Sequence, residues 1–149
     1  MKNVSRSEPN FTLWGLIGEV NHSILLIRQK ELNQYQIPVR QYELLRAIQA
    51  LGSNVTLTRV AKLVQREVHV VSRQTIGMEK DGLITRTKNV HKSTLLTLKI
   101  TDKGNDIIKT ARHSKSINSI FSILTTQERE QMESILGRIS VETKKYNND

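Results

Sequence analysis

Between Val60 and Arg86 the chain reads VAKLVQREVHVVSRQTIGMEKDGLITR: two short runs with apolar residues at helical spacing, parted by a tight polar break and closed by Gly82 and a basic, β-rich run. No other stretch constrains the fold as much. Val60, Ala61 and Val64 share one face of a first helix. Val68, Val71, Thr75 and Met78 share the inward face of a second, expected from about Val68 to Lys80. Positive charge gathers in the same region. From Gly52 to Lys99, nine Lys/Arg against three Asp/Glu supply six of the chain's nine net positive charges.

The flanks extend the pattern. Leu83 to Lys88 and Leu95 to Ile100 are β-rich, with Leu96, Leu98 and Ile100 alternating against Thr97 and Lys99, and the six residues from Asn89 to Thr94 form the tip of a hairpin. Upstream, Leu13, Leu16, Ile17, Val20, Ile24 and Ile27 form one stripe of a long helix from about Phe11 to Gln34. After Pro38 a second helix runs to Leu51 on Tyr42, Leu45 and Ile48, and Gly52 stops it. Thr56 and Thr101 are placed to cap the helices that follow them. Apolar positions resume at Ile107, Ile108 and Ala111 and continue to Leu124, in one helix or in two. Thr125-Thr126-Gln127-Glu128 is a capping box that opens a last helix with Met132, Ile135, Leu136 and Ile139 on one face. The expected fold is mainly α, with about six helices and a small β-hairpin, and the 149 residues suit a single domain.

Two packed helices followed by a hairpin are the elements of a winged helix-turn-helix. The first helix braces on the backbone of DNA, and the second lies in the major groove, where each base pair shows a distinct hydrogen-bond pattern. With the apolar face of the second helix turned inward, His69, Val70, Ser72, Arg73 and Ile76 fall around the outside. Arg73 suits guanine, His69 and Ser72 suit bases or phosphates, and Val70 suits a thymine methyl. Arg66, in the break, is placed for phosphate, as are Arg59 and Lys62 on the bracing helix. Arg86, Lys88, His91 and Lys92 bring positive charge to the hairpin, where basic side chains enter the minor groove or straddle its phosphates. Glu67 suits the positive end of the helix electrostatically but not DNA, so it should turn away from the phosphates.

The order of two leading helices, helix-turn-helix, wing and trailing helices resembles the MarR family of bacterial dimeric transcription regulators. VAKLV, VSR at Val71 to Arg73, MEKDGLITR at Met78 to Arg86, and ITDKG at Ile100 to Gly104 carry the resemblance. It covers nearly the whole chain. The resemblance implies an α+β winged helix-turn-helix lobe at residues 53–101. It also implies a dimerisation region built from 9–38 with 102–147, using Phe11, Trp14, Ile17, Ile120, Phe121, Ile135 and Ile139. It further implies a homodimeric, sequence-specific repressor on a near-palindromic operator. An aromatic or phenolic effector would bind between the dimerisation helices and the winged lobe, where Trp14, His22, Tyr42 and Arg46 are the candidates. The chain departs from the family pattern at three places. Lys92 and Thr94 stand where members carry an Asp-x-Arg, so Lys92 or His91 must replace the wing arginine. Glu67 stands in place of a helix-starting Ser, and Gln74 in place of an apolar residue. Gly77, inside the reading helix, costs about 1 kcal/mol relative to Ala.

Other chemistries find little support. The chain has no cysteine, no Gly-x-Ser-x-Gly, no phosphate-binding glycine loop and no carboxylate pair in apolar context. His22, His69, His91 and His113 are scattered without metal-ligand spacing. An enzyme, a metal site and a resident cofactor are not expected. A net charge of +9 points to an anionic partner, nucleic acid or an acidic membrane surface. The longest apolar runs, such as Ile24 to Ile27, fall far short of the ~20 residues of a bilayer span, and no secretory signal is visible, so the cytoplasm is the expected compartment. Two alternatives share the charge and the fold: a winged-helix adaptor that uses this surface for protein contacts, and an architectural protein that binds nucleic acid without sequence choice, since phosphate attraction is itself sequence-independent.

Overall fold

The computed structural model describes residues 8–53, 55–91 and 95–146. They form α1 (Pro9–Leu32), a 3-10 turn (Asn33–Tyr35), α2 (Val39–Leu51), β1 (Val55–Thr56), α3 (Leu57–Val64), α4 (Val68–Lys80), β2 (Ile84–Lys88), β3 (Leu96–Ile100), α5 (Asp102–Ala111), α6 (Lys115–Phe121) and α7 (Thr126–Tyr146). The architecture is mainly helical with a small winged sheet, as expected. The apolar stretch after Thr101 is divided between α5 and α6. Two compact units result, residues 1–114 and 115–149.

In the first unit, proline starts α1, where its missing N–H costs nothing. The turn out of α1 places Gln36 in the left-handed region, and the Gln29 side chain spans it. Its Oε1 accepts from Val39 N–H at 2.8 Å and its Nε2 donates to the Ile37 carbonyl at 3.3 Å. One amide thus satisfies a donor at the start of α2 and an acceptor just before it.

Leu44, Leu45 and Ile48 of α2 meet Val60 of α3, Val71 and Met78 of α4, and Ile84 and Leu98 of the sheet in one core. Thr56 Oγ1 accepts from Arg59 N–H, as the capping assignment requires. The break between α3 and α4 is a reversal at Gln65 (φ 51°), closed by Arg66 N–H on the Ala61 carbonyl. On α4, Val71, Thr75 and Met78 are buried as expected. Val68 is not; it is 42% exposed. Helical side chains lean toward the N-terminus, so that of the first residue projects past the helix start, with no turn beneath it to pack on.

Gly82 (φ 74°) ends α4, and Leu83 N–H returns to the Met78 carbonyl at 2.9 Å. β2 and β3 pair antiparallel from Ile84↔Ile100 to Lys88↔Leu96. β1 joins the other edge of β3 through Val55↔Leu98 and Thr56↔Thr97, giving the order β1-β3-β2. This third strand, only two residues long, had no period to announce it. Thr101 ties off the wing. Its Oγ1 caps α5 by accepting from Gly104 N–H and donates to the Gly82 carbonyl at 2.6 Å. α5 then buries Gly104, Ile108 and Ala111 in this unit.

In the second unit, Thr125 N–H and Oγ1 both donate to Glu128 Oε2 at 2.8 Å, and Glu128 N–H donates to Thr125 Oγ1. The two bonds from Thr125 hold the Glu128 carboxyl below its ordinary range. No residue of α7 is buried.

Gly77 has nothing crowding it: a Cβ there would lie 3.6 Å from Gln41 Nε2, ordinary contact. Gly77→Ala is therefore expected to stabilise the fold by up to about 1 kcal/mol, read as a higher Tm. A lower Tm would show a close approach that the backbone geometry does not contain.

Candidate nucleic-acid interface

α4 turns its apolar stripe to the core, and the helical period fixes what faces out. His69, Arg73, Ile76 and Lys80 are all exposed at spacings of four, three and four residues, which is one continuous stripe. Val70 and Ser72 flank it, both half-buried. The sequence assignment of His69 and Arg73 to the outer face agrees with this placement. Ile76 and Lys80, which had no assigned role, stand in the open.

Arg66 differs more. Its guanidinium donates to Glu43 Oε2 on α2 at 2.7 Å, and a second nitrogen, Nη1, is buried without a partner. Glu43 also holds Arg40 at 3.1 Å. Arg66 is thus engaged in bracing the turn against α2, through a residue 23 positions away that no local pattern reveals. Removing Arg66 leaves the half-buried Glu43 carboxylate with only the more exposed Arg40 as partner and deletes the tie between the turn and α2. Arg66→Met is therefore expected to lower Tm while leaving the salt dependence of DNA binding unchanged. Loss of about one unit of salt slope at constant Tm would instead return Arg66 to the phosphates.

Arg59 and Lys62 are exposed on α3. On the wing, Lys88 and His91 are exposed, and His91 N–H is held by Asn89 Oδ1 at 2.9 Å. Lys92 and Thr94 lie outside the described residues. Arg86 is half-buried where the wing meets α4. Its N–H donates to Glu79 Oε1 at 2.8 Å and its guanidinium approaches Ser72 Oγ at 3.4 Å. It couples the first wing strand to α4, with the Ser72 hydroxyl oxygen as acceptor. Glu67, at the start of α4, makes no side-chain capping bond.

The four residues named for an effector differ in exposure. Tyr42 is buried, with the Arg28 guanidinium 5.1 Å from its ring centre, whereas Arg46 and His22 are exposed. Trp14 is 72% exposed and, among the described aromatic rings, meets Phe11 in a T-shaped pair with centroids 6.2 Å apart. A cavity of about 540 Å³ does open between the end of α2, the sheet and α5, lined by Ile48, Gly52, Thr85, Thr97, Lys99 and Asn105 among others, and none of the four reaches it.

No protein-family model matches the chain, and no curated protein sequence does so at a level that establishes kinship. Solved structures do match. The organohalide-sensing RdhR-CbdbA1625 transcriptional regulator in its 2,4-dichlorophenol-bound form superposes with a TM-score of 0.86 at 26% identity, over 96% of this chain and 86% of that one. A MarR-family transcriptional regulator from Rhodococcus sp. RHA1 matches at 0.79 and 19%, over 91% and 96%. MepR from S. aureus, in its complex with DNA, matches at 0.76 and 22%, over 91% and 99%. The chain has the MarR-family fold. That fold is the one the motifs VAKLV, VSR, MEKDGLITR and ITDKG implied, and within it α3 and α4 form the helix-turn-helix and β2–β3 the wing. Among the described residues of this MarR-type chain, no three His, Asp or Glu gather into a metal-binding group, and no helix is long and apolar enough to cross a membrane.

Proposed function

We propose that the chain is a transcriptional regulator, not an enzyme, that binds double-stranded DNA sequence-specifically as a homodimer. The observation that carries this reading is the outer stripe of α4. Arg73 and His69, with Ser72 beside them, are side chains that hydrogen-bond base edges, and Arg59, Lys62 and Lys88 on neighbouring elements supply phosphate contacts. A purely architectural binder needs the second set and not the first.

The homodimer rests on apolar surface. Phe11, Trp14 and Ile17 on α1 are exposed, as are Ile135 and Ile139 on α7, while Ile120 and Phe121 on α6 are half-buried. Large apolar side chains left exposed on α1 and α7 suit an interaction surface. Since α5 is packed into the first unit, the interface proposed is that of α1, α6 and α7, with 53–101 as the DNA-binding lobe. A two-fold axis would set two α4 helices about 34 Å apart on a near-palindromic site. Ile135→Glu combined with Ile139→Glu is expected to convert a two-chain particle into a single chain by light scattering and to abolish tight operator binding. A wild-type protein that is already a monomer overturns the dimer.

Repression released by an aromatic or phenolic effector is the finer proposal. It is supported by the chlorophenol bound in the RdhR-CbdbA1625 regulator. The deciding experiment compares DNA from upstream of the chain's own gene with a scrambled duplex, titrated across salt. Tighter binding to the first at every salt concentration is expected. Equal affinities throughout would assign the chain to non-specific nucleic-acid binding.

A further inference from the structure

Ile76 is the outlying residue of the α4 surface. It is 53% exposed in the third turn of the helix that faces solvent with Arg73 and Lys80. Its helical neighbours at i−4, i−3, i+3 and i+4 are Ser72, Arg73, Glu79 and Lys80, so no apolar side chain of its own helix adjoins it. A β-branched residue at an exposed mid-helix site is less favourable for the helix than the Lys, Arg or Glu that solvent would favour. Nothing local to the fold explains the isoleucine.

The chemistry of its surroundings restricts what covers it. A protein partner seated on Ile76 would have to bury the cations of Arg73 and Lys80, which flank it on both sides, at the cost of their hydration. The major groove of DNA makes no such demand. Its floor carries one apolar group, the C5 methyl of thymine, and its walls carry phosphates. Glu79, the one anionic neighbour, is tied to the wing by accepting from Arg86 N–H, and an apolar side chain between the cations of Arg73 and Lys80 is complementary to that floor and those walls together.

We infer that Ile76 is a specificity-determining residue that reads the C5 methyl of a thymine in the major groove, a role that rests on the DNA-binding function proposed above. The spacing places the contact. Seven residues separate His69 from Ile76, about 10 Å along the helix at 1.5 Å per residue, or roughly three base pairs at 3.4 Å each. For α4 lying along the major groove, the thymine is at most about three base pairs from the base pair under His69, on the far side of the one under Arg73.

The test uses the full chain and duplexes that the wild-type protein selects from a randomised library. In a selected duplex each thymine is replaced in turn by deoxyuridine, which removes only the methyl, and affinity is read by fluorescence anisotropy. One thymine in each half-site is expected to be sensitive, with a loss of about fourfold per methyl, the worth of one buried carbon. Ile76→Ala is expected to bind the thymine and deoxyuridine duplexes equally and the scrambled duplex as wild type does. Since the residue is exposed and Ala is the better helix former, the variant should keep its Tm. Selection that yields a sequence with no deoxyuridine-sensitive thymine overturns this inference alone, as does an Ile76→Ala variant that keeps full sensitivity. Selection that enriches no sequence overturns the DNA-reading function and the inference with it.

Discussion

Arg73→Ala is expected to lower affinity for a selected duplex by about 1–3 kcal/mol, roughly 5- to 150-fold, and to relax the preference at one base-pair position. Arg73 stands exposed midway along the outer stripe of α4, with no ion pair among the described residues to occupy its guanidinium. A planar fork of N–H donors in that position matches the O6 and N7 acceptors of guanine. The matching control is Lys62→Ala on the bracing helix. It removes one phosphate contact and so weakens selected and scrambled duplexes alike, lowering the salt slope by about one. Binding isotherms for both variants on both duplexes separate the two roles. If Arg73→Ala behaves as Lys62→Ala is expected to behave, Arg73 is a phosphate ligand and another residue of α4 reads the base.

Gly104→Ala is expected to destabilise the winged unit by about 1–3 kcal/mol, or roughly 4–12 °C in Tm. A Cβ at this position would overlap the Leu83 carbonyl oxygen and stand 2.8 Å from Ile100 Cγ2. The Leu83 carbonyl cannot give way freely, because it accepts Thr101 N–H at 3.1 Å and so closes the base of the hairpin. α5 must therefore move off the sheet, and Ile108 and Ala111 move out of the core with it. The comparison with Gly77→Ala is instructive. Both glycines are helical and both substitutions raise helix propensity, yet opposite signs are expected, since only Gly104 sits against another segment's backbone. Thermal denaturation of the two variants measures this directly. An unchanged Tm for Gly104→Ala would mean that α5 does not seat on the wing as described.

Local signals were read well where their cause is local. Thr56, Thr101 and Thr125 cap helices because a hydroxyl reaches a backbone donor two or three residues on, a geometry contained within one turn. The inward stripe of α4 followed from the helical period, and Gly82 from the need for a positive φ at the helix end. The same reasoning failed at Val68, where periodicity gives direction but not whether anything lies in that direction. It also left Ile76 without a role, because exposure alone does not distinguish a reading residue from an ordinary surface residue; the flanking cations do. Gly104 was visible only as part of the ITDKG resemblance. The clash that requires it involves Leu83, brought close by the wing's closure.

The sequence by itself determined the helices other than the division of α5 from α6, the hairpin, the concentration of positive charge and the face of α4 that Arg73 and His69 occupy. Each of these is set by period, capping chemistry or composition over a few residues. Only the tertiary structure decided that Arg66 is held by Glu43, that Arg86 lies in the seam beside Ser72, and that α5 belongs with the winged unit. These depend on which groups the folded chain brings within hydrogen-bond distance across 14 or 23 residues, and no spacing along the chain encodes that.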